Sequence, residues 1–172
     1  MKENFYVFLD IDGVLWNEEY IVFLRDNNIP KDNDIETYFS SKSMTALNTL
    51  LNSLENKFKV QLVITSSRRS LLEKTIAILY KNNLVYDDKI DKTESTIKNI
   101  DMPRGLEIKK YLKQNKNSKN YVVIDDEVKD IKPFIKHSHI IDVKNEGLQL
   151  HHIEKFLKAK DISLISLNEN ER

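Results

Sequence analysis

Three short apolar runs punctuate this chain, and each stops at a polar cluster. Phe5-Tyr6-Val7-Phe8-Leu9 runs into Asp10-Ile11-Asp12-Gly13-Val14-Leu15. Val60-Gln61-Leu62-Val63-Ile64 runs into Thr65-Ser66-Ser67-Arg68-Arg69, and Tyr121-Val122-Val123-Ile124 into Asp125-Asp126. Runs this short, rich in β-branched and aromatic residues, read as buried strands over Tyr6–Leu9, Lys59–Thr65 and Tyr121–Ile124. Leu84–Tyr86 reads as a further short strand and His139–Val143 as a last core strand. Between them the apolar positions take helical spacing. Ser43–Leu54 places Met44, Leu47, Leu50, Leu51 and Leu54 on one face, with Ser43 as the cap. Ser67–Tyr80 does the same with Leu71, Leu72, Ile76, Ile78 and Leu79. Gly105–Leu112, Val128–Ile135 and Leu150–Lys158 complete the predicted helices. Trp16–Ser41 is mixed and polar around the island Tyr20-Ile21-Val22-Phe23-Leu24, and residues 87–103 are polar and irregular.

Strands alternating with helices predict βαβ units and a parallel sheet. Right-handed crossovers then bring every carboxyl strand end to one edge, where open α/β sheets bind ligands. The expected fold is α/β, a doubly wound, Rossmann-like three-layer arrangement. Its 172 residues suit one domain, read as 1–160, with a polar tail over 161–172. Equal numbers of basic and acidic residues, 27 each, leave no global signature of a nucleic-acid binder. The absence of Cys excludes disulfides, thiolate zinc sites and cysteine nucleophiles. No apolar segment approaches the ~20 residues of a membrane span, and no signal-peptide pattern opens the chain. A cytoplasmic protein without membrane contact is the expectation.

The strand ends carry the candidate chemistry. Asp10 and Asp12 are a self-repelling pair: unit charges about 4 Å apart cost roughly 4 kcal/mol at an effective dielectric of about 20. A hard divalent ion such as Mg²⁺ removes that cost. Each strand end also has a plain reading, because Asp12 suits an Asp-Gly turn and Ser66, Ser67, Asp125 and Asp126 suit helix caps. Taken in order, the three ends describe a phosphoryl-transfer site. Asp10 supplies the nucleophile of an aspartyl-phosphate, and Asp12 protonates the leaving alcohol and later activates water. Asp125 and Asp126 complete a Mg²⁺ site with Asp10. Thr65, Ser66 and Ser67, with backbone N–H groups at a helix start, hold the phosphate. Arg104 offsets charge on the intermediate.

These motifs resemble those of the haloacid dehalogenase-like hydrolases, most of which are phosphatases. Asp10-Ile11-Asp12-Gly13-Val14-Leu15 is similar to their first motif, Val63-Ile64-Thr65-Ser66 to their second, and Arg104 to their third. Asp125-Asp126, with Asp130 following, is similar to their fourth. The resemblance covers roughly residues 5–158. Within it, Ser66 or Thr65 fills the second-motif hydroxyl, with Ser66 favoured. Arg104, Lys109 or Lys110 fills the third-motif base, with Arg104 favoured. Asp126 is favoured over Asp125 as the direct metal ligand, and Asp12 reaches the metal through its backbone carbonyl.

A narrower resemblance is to the phosphatase modules of RNA-repair proteins. It rests on Thr65-Ser66-Ser67-Arg68-Arg69, on Arg104-Gly105-Leu106-Glu107-Ile108 leading to Tyr111-Leu112, on Tyr121–Asp126, and on Gly147-Leu148. Arg68 and Tyr111 stand where that subgroup has Trp. Forty-five residues separate Gly13 from Lys59, too few for a helix of the core and a full cap domain. The resemblance therefore implies an open site, which in this family serves large substrates. The expected partner is a phosphorylated substrate, favoured as a nucleotide or polynucleotide phosphate end. The alternatives are a small-metabolite phosphatase and a non-catalytic phosphate- or partner-binding module. Trp16 stands beside the site as a base-stacking candidate or as packing. His137, His139, His151 and His152 read as surface or edge residues before metal ligands.

Overall fold

The computed structural model describes residues 2–27, 39–85, 102–116 and 119–165. Among them are four strands: β1 (Asn4–Leu9), β2 (Lys59–Ile64), β3 (Tyr121–Asp125) and β4 (Ile140–Asp142). The five α-helices are α1 (Glu18–Asp26), α2 (Ser41–Glu55), α3 (Leu72–Lys81), α4 (Arg104–Gln114) and α5 (Leu150–Ala159). All strand pairs are parallel, in the order β2-β1-β3-β4. The fold is the Rossmann-like α/β arrangement the alternating pattern predicts. Chain order reverses between β1 and β3, which makes their carboxyl ends the switch point of the sheet.

β1 is buried from Phe5 to Leu9, as a central parallel strand must be. Alternate residues serve opposite faces. Phe5, Val7 and Leu9 pack with Leu47, Leu50, Leu51 and Leu54 of α2, Ile76 and Leu79 of α3, and Ile153, Phe156 and Leu157 of α5. Tyr6 and Phe8 face the other way, onto Ile108, Tyr111 and Leu112 of α4 and onto Val128, Ile131 and Ile135. Tyr111 lies edge-on to Tyr6 and Phe8, with ring centroids 5.7 and 5.5 Å away. A large aromatic thus fills the layer at this position.

Several boundaries differ from the sequence expectation, each for a local reason. The polar stretch after Trp16 contains α1, started by the Asn17 side chain accepting from the Tyr20 N–H at 3.0 Å. α2 begins earlier than expected, and its cap is Ser40, whose Oγ accepts from the Ser43 N–H. The helix expected over Ser67–Tyr80 is broken into a 3₁₀ turn, Ser67–Leu71, followed by α3. Ser66 Oγ takes the Arg68 N–H and tightens that first turn. Val128–Ile135 is only a 3₁₀ turn over Val128–Asp130 followed by further turns. Pro133 has no N–H with which to continue a helix there. Leu84 and Val85 are not strand, and Tyr86 lies outside the described residues. His139 belongs to a 3₁₀ turn that precedes β4. In the C-terminal segment, the Ile165 N–H donates to Ser53 Oγ on α2 at 2.9 Å. No helix among the described residues is long and apolar enough to cross a membrane.

Candidate active site

Strand register assembles the site. Leu9 pairs with Ile64 on one side and Ile124 on the other, so Asp10, Thr65 and Asp125 are the next residues along three adjacent strands. The ladder continues one step past the strands: the Asp10 N–H donates to the Ile124 carbonyl and the Thr65 N–H to the Leu9 carbonyl. Beyond Asp10 the chain folds into a tight loop. The Leu15 and Trp16 N–H groups return to the Ile11 carbonyl, and the Gly13 N–H donates to the Trp16 carbonyl at 2.8 Å. Gly13 sits at φ +77°, and a Cβ there would stand 2.1 Å from Asp126 Oδ2. Only Gly satisfies both conditions.

Asp10, Asp125 and Asp126 each offer a carboxylate oxygen, and these oxygens lie within 4.8 Å of one another. Asp10 is 5% exposed and Asp125 fully buried. Backbone donors hold the inner oxygens: the Ile11 N–H on Asp10 Oδ1 at 2.8 Å, and the Glu127 N–H on Asp125 Oδ1 at 2.9 Å. Arg104 Nη1 bridges the outer pair, 3.1 Å from Asp10 Oδ2 and 2.5 Å from Asp125 Oδ2. Burial, reinforced by the charge of Asp10, pushes the Asp125 carboxyl up to about 7, in spite of Arg104. The same two causes raise Asp126. Burial alone would lower the Arg104 pKa, but the charges of Asp125 and Asp10 hold it above the ordinary guanidinium value.

This donor set fits a hard divalent cation. With all three carboxylates ionised, as a bound cation would hold them, one guanidinium leaves two negative charges, and all the donors are oxygens. The raised carboxyls of Asp125 and Asp126 follow from burial first and from the neighbouring Asp10 charge second, and a cation would offset both.

The other expected residues divide. Arg104 touches the acidic cluster, whereas Lys109 and Lys110 are exposed further along α4. Thr65 and Ser66 are fully buried, and Ser67 is exposed. The Asp12 carboxylate is not part of the cluster. It pairs with Arg68, whose Nε and Nη2 lie 2.8 and 2.6 Å from Asp12 Oδ1. The Arg68 guanidinium in turn lies 5.7 Å from the centre of the Trp16 ring, so Trp16 packs over the loop. The Arg69 side chain lies outside the described residues. Asp130 Oδ2 accepts the Arg104 N–H at 2.9 Å and so caps the helix that presents Arg104.

The histidines lie elsewhere. His139 stacks on Tyr121 with centroids 4.1 Å apart, and its Nδ1 is 2.8 Å from the Tyr121 carbonyl. His151 and His152 gather around Glu146 beside the start of α5. His152 Nδ1 accepts the Gln149 N–H, which assigns it a capping role.

Sequence reasoning missed the Arg68–Asp12 pair and the Asp130 cap. The available signal for each was a charged residue one turn beyond a strand end.

The comparison with protein families matches residues 6–153 to the family described as the HAD domain in Swiss Army Knife RNA repair proteins. Searches of curated proteins and of solved structures returned no match. The match covers most of the chain and spans every strand end that builds the acidic cluster, so the chain belongs to this family of HAD domains from RNA repair proteins.

Proposed function

We propose that this chain is a Mg²⁺-dependent phosphatase that works through an aspartyl-phosphate on Asp10 and acts on phosphorylated nucleic-acid ends. The observation that carries the reading is the buried Asp10 carboxylate, held by a backbone N–H and Arg104 beside Asp125 and Asp126. A carboxylate so fixed is oriented for attack, and the cation beside it offsets charge on the transferring group.

In the first half-reaction Asp10 attacks phosphorus, the bond from phosphorus to the leaving oxygen breaks, and Asp12 gives that oxygen a proton. In the second half, water attacks the same phosphorus and passes its proton to Asp12. The bond to Asp10 then breaks, and free phosphate leaves. Ser66, with Thr65 and Ser67, borders the phosphate at the end of β2, and Arg104 offsets charge on the intermediate. Mg²⁺, held by Asp10 and Asp126 with Asp125 and the Asp12 backbone carbonyl beside them, would neutralise the phosphate oxygens. The substrate class is supported by the family's description as part of RNA repair proteins. The short interval between Gly13 and Lys59 supports an open site for a large substrate.

Phosphate release from 3′- and 5′-phosphorylated oligonucleotides, nucleotides and an aryl phosphate tests the reading. The wild type is expected to require Mg²⁺ and to prefer an oligonucleotide. Asp10→Asn is expected to lose activity by on the order of 10³-fold or more with its circular dichroism unchanged. Undiminished hydrolysis by that variant would sink the mechanism. No hydrolysis of any of these substrates by the wild type would favour a binding module.

A further inference from the structure

Arg68 is placed with more precision than a surface arginine after a strand end requires. Its backbone is fixed from both sides: its N–H donates to Ser66 Oγ at 3.2 Å, and its carbonyl accepts from Thr75 Oγ1 at 3.1 Å. Thr75 is buried, so this clamp stands on the core. From it the side chain crosses to the loop after β1 and engages two residues there. Nε and Nη2 both reach Asp12 Oδ1, and the guanidinium lies against the Trp16 ring. The Arg68 side chain keeps 17% of its surface exposed and that of Asp12 39%, so the pair borders solvent. Asp12 and Trp16 are themselves bridged through the backbone, which makes loop and guanidinium one unit.

Two donors on a single carboxylate oxygen do more than neutralise charge. They fix that oxygen and stop the carboxylate from turning, so the second oxygen is fixed as well. We propose that Arg68 is a positioning residue for the acid–base step. By holding Asp12 Oδ1, it presents Asp12 Oδ2 to the leaving-group oxygen and keeps the carboxylate apart from the acidic cluster. This rests on the phosphatase reading above. It concerns only the proton transfer: Asp12 Oδ2 gives its proton to the leaving oxygen as that oxygen's bond to phosphorus breaks, and takes one back from the attacking water.

Leaving groups separate positioning from a general structural role. An alkyl leaving oxygen needs a proton, whereas 4-nitrophenolate departs as an anion. kcat/KM covers only the steps through departure of the leaving group. Arg68→Ala is therefore expected to reduce kcat/KM for an alkyl or nucleoside phosphate on the order of 10²-fold. Its kcat/KM for 4-nitrophenyl phosphate should stay within about threefold of the wild type. In an Asp12→Asn background the same change should have no further effect on the alkyl substrate, because Arg68 acts through Asp12. Equal losses on both substrates, or additive effects of the two substitutions, would overturn the proposal. A second measurement needs no turnover. In ¹⁵N NMR of the free protein, the Arg68 Nε–H should be protected from exchange and become solvent-like in Asp12→Ala. A solvent-like signal in the wild type overturns the positioning role even if the protein is a phosphatase. Protection in a protein that hydrolyses nothing would locate the failure in the phosphatase reading.

Discussion

Gly13 carries two constraints at once, and together they tie the loop after β1 to the end of β3. Its φ of +77° excludes an ordinary side chain, and the missing Cβ leaves the space that Asp126 Oδ2 occupies. Gly13→Ala is therefore expected to cost about 1–3 kcal/mol of stability from backbone strain. It should also displace Asp126 and weaken Mg²⁺ binding at least tenfold by calorimetry. Unchanged affinity would mean that Asp126 has no part in the metal site. At this scale the sequence was legible in residue types and largely silent on pairings. Asp10, Asp125 and Asp126 follow apolar runs and could be picked out one by one. That Asp12 would pair with Arg68, 56 residues away, depends on side-chain geometry across two loops. No local pattern encodes such a contact.

Among the elements, α4 matters most, because Arg104 is its first residue. Two features set where it starts. Asp130 accepts the Arg104 N–H, and Gly105 allows close approach to the turn after β3. A Cβ on Gly105 would stand 2.8 Å from Ile131 Cα and 2.9 Å from the Asp130 carbonyl oxygen. Backbone atoms cannot step aside as a flexible side chain can, so Gly105→Ala is expected to push α4 outward. The expected loss is about 1–3 kcal/mol, read from the midpoint of denaturant unfolding. An unchanged midpoint would contradict this packing. The helices with wide apolar stripes, α2, α3 and α5, were legible from spacing because their buried residues recur every three or four positions. α1 was not: Leu24 is buried but Phe23 is 52% exposed, so the stripe is too narrow to stand out. Its start signal is the single Asn17 cap. The break between the 3₁₀ turn and α3 was equally hidden, because it lies in the non-helical backbone of Leu71, within a continuous apolar pattern.

For the whole molecule, the sheet order β2-β1-β3-β4 gathers residues far apart in sequence at one edge. Parallel, right-handed connection made that edge foreseeable. The register that aligns Asp10 with Thr65 and Asp125 was not, since it depends on how the strands are packed. The assembled cluster stores electrostatic strain that pH and metal should reveal. Asp125 titrates at about 7 in the folded protein against an ordinary 3.8, with burial as the leading cause. Between those values the folded state holds a proton that the unfolded chain has released. The group's stability contribution is therefore fully present below about pH 4 and lost as pH rises through 7. A divalent cation selects the ionised form, so the rise in melting temperature on adding Mg²⁺ should grow from pH 5 to pH 8. In Asp125→Asn that growth should shrink, and a Mg²⁺ effect independent of pH would contradict the assignment. The central claim, however, is covalent: phosphate passes through Asp10. Its most direct test is to quench a reacting mixture of the protein, Mg²⁺ and a phosphorylated substrate with borohydride, which reduces an acyl phosphate to an alcohol. Peptide mass spectrometry should then find Asp10 converted to homoserine, in a substrate- and Mg²⁺-dependent manner. Phosphate release with Asp10 unmodified, and the reduction found on another residue or on none, would contradict the account.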